Sequence, residues 1–327
     1  MKFVPLKFWS AFVGVLLLLS APAKAADDLH IVDLTGEFDR FAMATEGMPD
    51  GQRIRAFEKQ IGRIGNGFYS RERNPDGYDF RVLLQLKTYP QRRNATLTVS
   101  RRFNELFAPA RRNFEAVFGP VTSRQPIFLL DSMGELDGGT RDLTGGLTLL
   151  FGADVIAEVH KEKDMSAFFY HELFHLYRKS RDTDCNAIWC SLWEEGLATY
   201  VSSRLDPNAN DDELILNLPQ PIRPAVEANR GRAVCEVVRR LESTTDRDFS
   251  ALFQGDDNLP GYPSRMGYYI GYLVAADAGR RYNLHRLADM SAVEARPLID
   301  AALSRMATCS TATAEARERS RTRRTRS

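Results

Sequence analysis

Histidine and cysteine are scarce in this chain, which has five His and four Cys among 327 residues. The spacing of the cysteines matches no zinc-binding cysteine motif, which argues against a zinc-finger type of site. Beyond the N-terminal start, no segment is apolar over the roughly 20 residues that a membrane-spanning helix needs. The glycine-rich segment 134–146 lacks the Lys-Ser/Thr of a P-loop and does not lead into a helix, which excludes a phosphate-binding loop of that kind.

The first 25 residues have the three parts of a secretory signal peptide. Lys2 and Lys7 give a positive start, an apolar run follows, and residues 23–25 form a small-x-small cleavage site. The apolar run is about 12 residues long, which is too short to cross a bilayer. We therefore expect export, cleavage after Ala25, and a periplasmic or secreted protein with no transmembrane segment.

Charge is concentrated at the C-terminal end of the sequence. Residues 310–327 contain six Arg and two Glu and no apolar side chain larger than Ala, so we expect a disordered basic tail. Without the signal peptide and this tail, the formal charge of the protein is about −6, which argues against a nucleic-acid partner.

Four cysteines in an exported protein predict disulfide bonds. The sequence alone allows three pairings of Cys185, Cys190, Cys235 and Cys309. We favour Cys185–Cys190, which closes a short loop, together with Cys235–Cys309, which closes a long one. If a disulfide acts by reducing the entropy of the unfolded state, the long bridge stabilises the fold by roughly 4 kcal/mol.

The pattern of apolar residues predicts an α+β protein with a mixed α/β first half and a mainly helical second half. Segments expected as strands are 78–86, 126–130 and 147–151. Segments expected as helices are 53–69, 101–119 with a kink at Pro109, 164–179, 192–205, 267–282 and 297–307. No internal repeat or long linker divides the sequence, so we predict one domain over 26–309, with an α/β lobe at 26–163 and a helical lobe at 164–309.

The segment FYHELFHLYR, residues 169–178, places His171 and His175 four residues apart, with Glu172 directly after the first. On a helix, residues i and i+4 lie on one face, so both imidazoles can reach one cation. Glu172 is turned about 100° away, where it is poorly placed as a ligand but can reach a water molecule held by the cation. H-E-x-x-H on a helix is a signature of zinc metalloproteases, with the glutamate as general base.

A surface helix that happens to carry two histidines is the alternative interpretation. Apolar side chains surround the motif on nearly every side of the helix: Phe168, Phe169, Leu173, Phe174, Leu176 and Tyr177. Buried imidazoles need polar partners, and one metal ion supplies a partner for both. The sequence therefore favours a metal site.

A catalytic zinc needs a third protein ligand and an open position for water. The segment WEEGLATY offers Glu194 and Glu195 about 20 residues after the motif. Here the sequence resembles the gluzincin metallopeptidases. In their aminopeptidase N branch, H-E-x-x-H is followed after about 18 residues by N-E-G-F-A, whose glutamate binds zinc. The corresponding segment of this protein, EEGLATY, follows after a spacing of 19. Its E-G-L-A-x-Y sequence pattern also resembles that of the predicted zinc-dependent proteases of bacteria.

The resemblance implies a zincin-like fold and one Zn²⁺ per molecule, bound by His171, His175 and Glu195. It implies that Glu172 is the general base, while Glu194 takes the position of the asparagine. We expect Glu194 to be a solvated carboxylate at the start of a helix.

The resemblance also implies a hydrogen-bond donor for the oxyanion that forms during hydrolysis. In the aminopeptidase branch this donor is the tyrosine of Y-x-K-G. Tyr268-Tyr269-Ile270-Gly271 keeps a tyrosine three residues before glycine, so Tyr268 is the candidate and Tyr269 the reserve. His285 is a looser candidate, and we expect it to be a surface or capping residue.

In zincins, an edge strand before the metal helix lines the cleft and pairs with an extended substrate. Segment 145–154, GGLTLLFGAD, stands where that strand is expected. The G-x-M-E-N signature that holds a free amino terminus in aminopeptidases is absent, so cleavage within a peptide or protein substrate is favoured. The alternatives are a zincin-like envelope protein that binds a peptide or partner without cleaving it, and an envelope scaffold with no metal.

Overall fold

The structure of this protein, a computed structural model, describes residues 29–160, 164–178, 185–254 and 259–309. The predicted signal peptide and basic tail lie outside these residues. The described part has a mixed α+β fold, as the sequence predicts. Its strands are β1 (Ile31–Asp33), β2 (Ile127–Leu130), β3 (Gly138–Leu143) and β4 (Gly146–Gly152). Its helices are α1 (Thr35–Ala44), α2 (Asp50–Gln60), α3 (Ile64–Gly67), α4 (Tyr78–Phe118), α5 (Ala153–Val159), α6 (Ser166–Arg178), α7 (Ile188–Leu205), α8 (Ile222–Glu227), α9 (Arg230–Arg240), α10 (Asp246–Phe249), a π-helical turn (Ser250–Gln254), α11 (Met266–Ala278), α12 (Leu284–Asp289) and α13 (Ala292–Met306).

The four strands form one sheet in the order β1-β2-β4-β3. β1, β2 and β4 are parallel, and β3 runs antiparallel to β4. Side chains of a strand alternate between its two faces, so Ile127 and Leu129 pack in a larger core while Phe128 and Leu130 pack in a smaller one. Because both faces of the sheet are buried, β2 and β4 are nearly continuous apolar runs, which is the pattern that predicts them.

The sheet edge next to the candidate cleft is formed by β3 and not by the strand that the sequence predicts there; β1 forms the other edge. Segment 145–154 forms β4, which pairs with β2 on one side and β3 on the other. The expected edge position is therefore wrong. The glycine-rich segment before β4 holds β3, and Gly145 and Gly146 close the hairpin with φ values of 101° and 109°. β3 has the sequence GGTRDL, whose lack of apolar alternation hides it from pattern analysis.

α4 is a helix of 41 residues that includes the first segment predicted as a strand. That segment has apolar side chains at every second position, which is the period of a strand. In the helix, Tyr78, Val82 and Leu86 are buried one turn apart, whereas Phe80 and Leu84 are 72% and 44% exposed. The strand prediction is wrong because two exposed apolar residues between the buried ones imitate alternation.

The described part of the second half contains helices and no strand, as predicted. α6 matches its predicted range closely, while α7 and α13 begin earlier than predicted, at Ile188 and Ala292. The helix predicted over 53–69 is broken after α2, and Gly65 and Asn66 then adopt positive φ. Helix α4 continues past Pro109.

Two disulfide bonds join Cys185 to Cys190 and Cys235 to Cys309, and this confirms the favoured pairing. Their Cα atoms are 6.0 and 5.4 Å apart. Disulfides persist in oxidising compartments and are rare in the cytosol, so the pairing indicates a protein that folds outside the reducing cytoplasm. Within the described ranges, no helix has both the length and the apolar character needed to cross a membrane.

Candidate metal centre

Helix α6 presents His171 and His175 from within the core. Its apolar residues bury nearly every side of the helix, and His171 and Glu172 are only 7% and 6% exposed. His175 is partly buried one turn further along. The two imidazoles therefore face the same small volume, as their i, i+4 spacing predicts.

Glu195 of α7 completes a triangle of donor atoms with these two imidazoles. Its Oε2 atom lies 3.1 Å from Nε2 of His171 and 3.2 Å from Nε2 of His175, and the two Nε2 atoms are 3.0 Å apart. Ligands bonded to one zinc ion at about 2.0–2.2 Å lie about 3.3 Å from one another in a tetrahedral site, so the three separations fit such an ion.

Hydrogen bonds alone cannot make all three contacts of this triangle favourable. Each imidazole Nε2 carries at most one hydrogen, and an ionised carboxylate carries none. If both nitrogens are protonated, two donors face each other; if only one is, a bare nitrogen faces a carboxylate oxygen. A cation between the three atoms makes all of these contacts favourable, so the donor set fits a metal ion.

The charge of Glu195 is set by its surroundings. Burial alone would raise the pKa of this carboxyl, but the charge of His175 and the contacts with both imidazoles outweigh burial and hold the pKa well below its usual value. Glu195 is therefore ionised, which is the form in which a carboxylate binds a metal ion.

Two glycines explain how α7 reaches the triangle. Gly196, next to Glu195, lies against Gly271 of α11, and a Cβ atom added at Gly196 would lie 2.1 Å from the Gly271 carbonyl carbon. The close crossing of α7 and α11 requires glycine at both positions. It brings Tyr268, one helical turn before Gly271, to the same cleft as Glu195.

Tyr268 and Tyr269 lie on different sides of α11. Tyr268 lines the cleft, and its ring centroid is 6.1 Å from that of His171. Tyr269 is buried elsewhere and donates a hydrogen bond of 2.6 Å to Glu227. Burial and, secondly, the charge of Glu195 raise the pKa of Tyr268, so its hydroxyl keeps its proton at neutral pH.

Glu172 lies beside the triangle and is not one of its donors. It lines the cleft, and its Cγ atom packs against Gly138 of the edge strand β3. A Cβ atom added at Gly138 would lie 2.9 Å from Glu172 Cγ and 2.7 Å from Cζ of Phe168. The backbone of β3 therefore approaches the Glu172 side chain because residue 138 has no side chain of its own.

These residues line a cleft of about 870 Å³. β3 lines this cleft, and so do Tyr268 and the aromatic residues Phe249 and Phe253. The Cys185–Cys190 disulfide lines the cleft as well. A cleft of this volume is within the range of ligand-binding sites.

The structure corrects the expectation for Glu194. This residue lies well inside α7, which begins at Ile188, and its carboxylate accepts a hydrogen bond of 3.0 Å from Arg178. Arg178 is buried and also donates to the carbonyl of Ala288. Glu194 thus forms an ion pair with a buried arginine and is not a solvated carboxylate at the start of a helix. His285 is exposed and contacts the ring of Phe118, away from the residues that line the cleft.

Several cleft residues escape sequence analysis. Arg265 immediately precedes α11 and belongs to no motif. Asp137 lines the cleft and contacts His160, which lies outside the cleft lining and 23 positions away in the sequence, at 3.0 Å. The repeated glycines before β4 are the only signal for the backbone that lines the cleft there.

Comparison with known proteins assigns no family to this sequence. No protein-family model matches it, and no curated protein and no solved structure is significantly similar to it. The candidate metal centre therefore rests on the sequence and geometry of this protein.

Proposed function

We propose that this protein is an exported, zincin-like zinc metallopeptidase that cleaves bonds within peptide or protein substrates. The observation that carries the proposal is the convergence of His171, His175 and Glu195 on one point, with donor atoms 3.0–3.2 Å apart. Two imidazoles and one carboxylate form the donor set of thermolysin-type catalytic zinc. In the part of the protein that the structure describes, this group has three members, whereas a closed structural zinc site has four.

The cleft residues have complementary roles in hydrolysis. Zinc bound here would lower the pKa of a water molecule and polarise the carbonyl of the scissile peptide bond. Glu172 accepts a proton from the attacking water and delivers it to the leaving amine, which is the work of a general base and then a general acid. The Tyr268 hydroxyl donates a hydrogen bond to the oxyanion of the tetrahedral carbon.

The position of the edge strand β3 supports the proposal that the substrate is a peptide. An edge strand has backbone N–H and C=O groups that can pair with an extended peptide. β3 lies along the cleft and touches Glu172 through Gly138. A peptide paired with β3 would therefore pass beside the general base. The absence of a G-x-M-E-N segment supports internal cleavage over removal of terminal residues.

The proposed location is the periplasm or the outside of the cell. The N-terminal sequence pattern and the two disulfides both support it. The body of the protein has a formal charge of about −6, which disfavours binding to the phosphate backbone, so we propose no nucleic-acid partner.

Removal of the metal tests this proposal. We expect the purified mature protein to hydrolyse a library of internally quenched peptides, and we expect a zinc chelator to abolish this activity. Adding Zn²⁺ back should restore it, because the three ligands are present before the metal binds. Peptide hydrolysis that continues unchanged in the metal-free protein would contradict the proposal.

Substitution of the two tyrosines distinguishes their roles. Tyr268→Phe is expected to lower kcat by about 10²–10³-fold with little change in KM, because it removes one donor to the oxyanion. Tyr269→Phe is the matched control. It removes a hydroxyl from the neighbouring residue of α11, and that hydroxyl donates a hydrogen bond to Glu227 outside the cleft. Steady-state kinetics decide the assignment: equal kcat values for the two variants would show that Tyr268 is not the donor.

A further inference from the structure

Among the charged residues that line the cleft, one has no partner of opposite charge in the part of the protein that the structure describes. Glu135 is bonded to Arg141, Asp137 to His160, and Arg178 to Glu194. The two histidines and Glu195 contact one another, and Glu172 also has a partner. Arg265 differs from them all, because no carboxylate oxygen within the described ranges lies within 4.0 Å of its guanidinium.

Arg265 is held directly beside the proposed reaction centre. Its guanidinium carbon lies 4.7 Å from the ring centroid of Tyr268, whose ring is 6.1 Å from that of His171. A guanidinium stacked on an aromatic face has further N–H groups at its edge that can bind a ligand, although part of the Arg265 guanidinium also contacts the Tyr268 hydroxyl. The residue also has a φ of 61°, an uncommon conformation for a residue other than glycine and one that recurs at ligand-binding sites.

Burial raises the pKa of the Asp137 carboxyl, but the contact with His160, the backbone N–H of Gly138 and, least of these, the charge of Arg265 together lower it. Asp137 does not form an ion pair with the arginine, because no carboxylate oxygen of the described residues lies within 4.0 Å of the Arg265 guanidinium. One oxygen of Asp137 contacts Nε2 of His160 at 3.0 Å, and the other accepts the backbone N–H of Gly138 at 2.8 Å. Asp137 thus has its own partners. A partly buried guanidinium that has no carboxylate partner is most strongly stabilised by binding one, which it does through two parallel hydrogen bonds.

We propose that Arg265 binds a carboxylate of the peptide substrate. An Asp or Glu side chain is the source that agrees with internal cleavage, whereas binding of the C-terminal carboxyl group here would mean that the protein removes terminal residues. The inference rests on the proposed function only for the nature of the substrate. Since one extended residue spans about 3.3–3.6 Å, the position of Arg265 next to Tyr268 places that carboxylate within about two residues of the scissile bond.

Peptide binding to a zinc-loaded Glu172→Gln protein tests this inference without turnover. The probes are acetylated Ala-Ala-Phe-Ala-Ala-Ala as the free acid and as the carboxamide, and carboxamide peptides with one Glu or one Gln at each position in turn. We expect at least one carboxylate peptide to bind about tenfold or more tightly than its neutral counterpart. The free-acid pair reports on a C-terminal carboxylate, and the Glu/Gln pairs report on a side chain.

Substitution of Arg265 then decides whether the arginine causes the preference. Arg265→Gln in the same background should abolish the difference in Kd, and Arg265→Lys should keep part of it, because lysine retains the charge without the two-pronged geometry. Arg223→Gln is the matched control. Arg223 stacks over Tyr269 of α11 as Arg265 stacks over Tyr268, but it is paired with Asp211 and lies outside the cleft. The preference for the carboxylate peptide should therefore persist in this variant.

Two results would overturn the inference. One is equal binding of carboxylate and neutral peptides. The other is a preference that survives in Arg265→Gln, which would assign the carboxylate to the metal or to another cationic side chain of the cleft, such as Arg141. The outcome for the proposed function is separate. If the protein with native Glu172 cleaves peptides without this preference, only the role of Arg265 fails. If it cleaves none but shows the Arg265-dependent preference, the peptidase proposal fails and the carboxylate site stands.

Discussion

Glu172→Gln is expected to retain zinc and lose peptide hydrolysis, with kcat reduced by at least about 10²–10⁴-fold, the contribution of a positioned general base. The substitution keeps the size of a side chain that is only 6% exposed and packs against Gly138, so the fold should be preserved. It leaves the three donor atoms of the metal centre in place. The measurements are kcat on a cleaved peptide and zinc content by mass spectrometry.

Glu194→Gln is the control for this loss of activity, because Glu194 also lines the cleft but directs its carboxylate to Arg178. Its effect on kcat should be far smaller than that of Glu172→Gln. Full activity in a Glu172→Gln protein that still holds one zinc per molecule would show that another group is the base.

Glu195→Ala is expected to weaken zinc binding by more than about 100-fold, since loss even of a group that only supports a metal ligand costs 10–100-fold. The variant leaves two imidazoles whose Nε2 atoms are 3.0 Å apart, without the anionic donor that contacts both of them. Competition between the protein and a zinc-binding dye gives the two affinities. Hydrolysis should fall with zinc occupancy and recover in part at high zinc concentration.

Glu194→Ala tests whether the correct one of two adjacent glutamates is the ligand. Its carboxylate bonds Arg178 and lies outside the donor group, so zinc affinity should remain close to that of the unmodified protein. If Glu194→Ala loses zinc while Glu195→Ala keeps it, the ligand assignment is wrong.

The local parts of the site are predictable from the sequence because they depend on short spacings. His171 and His175 share a helix face through a four-residue separation, and the apolar residues around them predict a buried helix. The sequence correctly predicts strands over 126–130 and 147–151, because residues buried on both faces of a sheet give continuous apolar runs. The disulfide pairing follows from the count of cysteines and the choice of one short and one long loop.

The parts that sequence analysis misses depend on contacts between distant segments. β3 is polar and glycine-rich, so its place at the sheet edge is set by its hairpin with β4 and not by a hydrophobic pattern. Glu194 is paired because Arg178, 16 positions earlier, is buried beside it. Arg265 reaches the cleft because Gly196 and Gly271 let two helices cross closely, a contact that no local pattern encodes.

Anomalous X-ray diffraction at the zinc edge, from crystals of the purified protein, tests the central claim most directly. We expect one strong anomalous peak per molecule, within about 2.0–2.2 Å of Nε2 of His171, Nε2 of His175 and a carboxylate oxygen of Glu195. A fully zinc-loaded protein with no peak between these three side chains, or with its zinc bound elsewhere, would contradict the account.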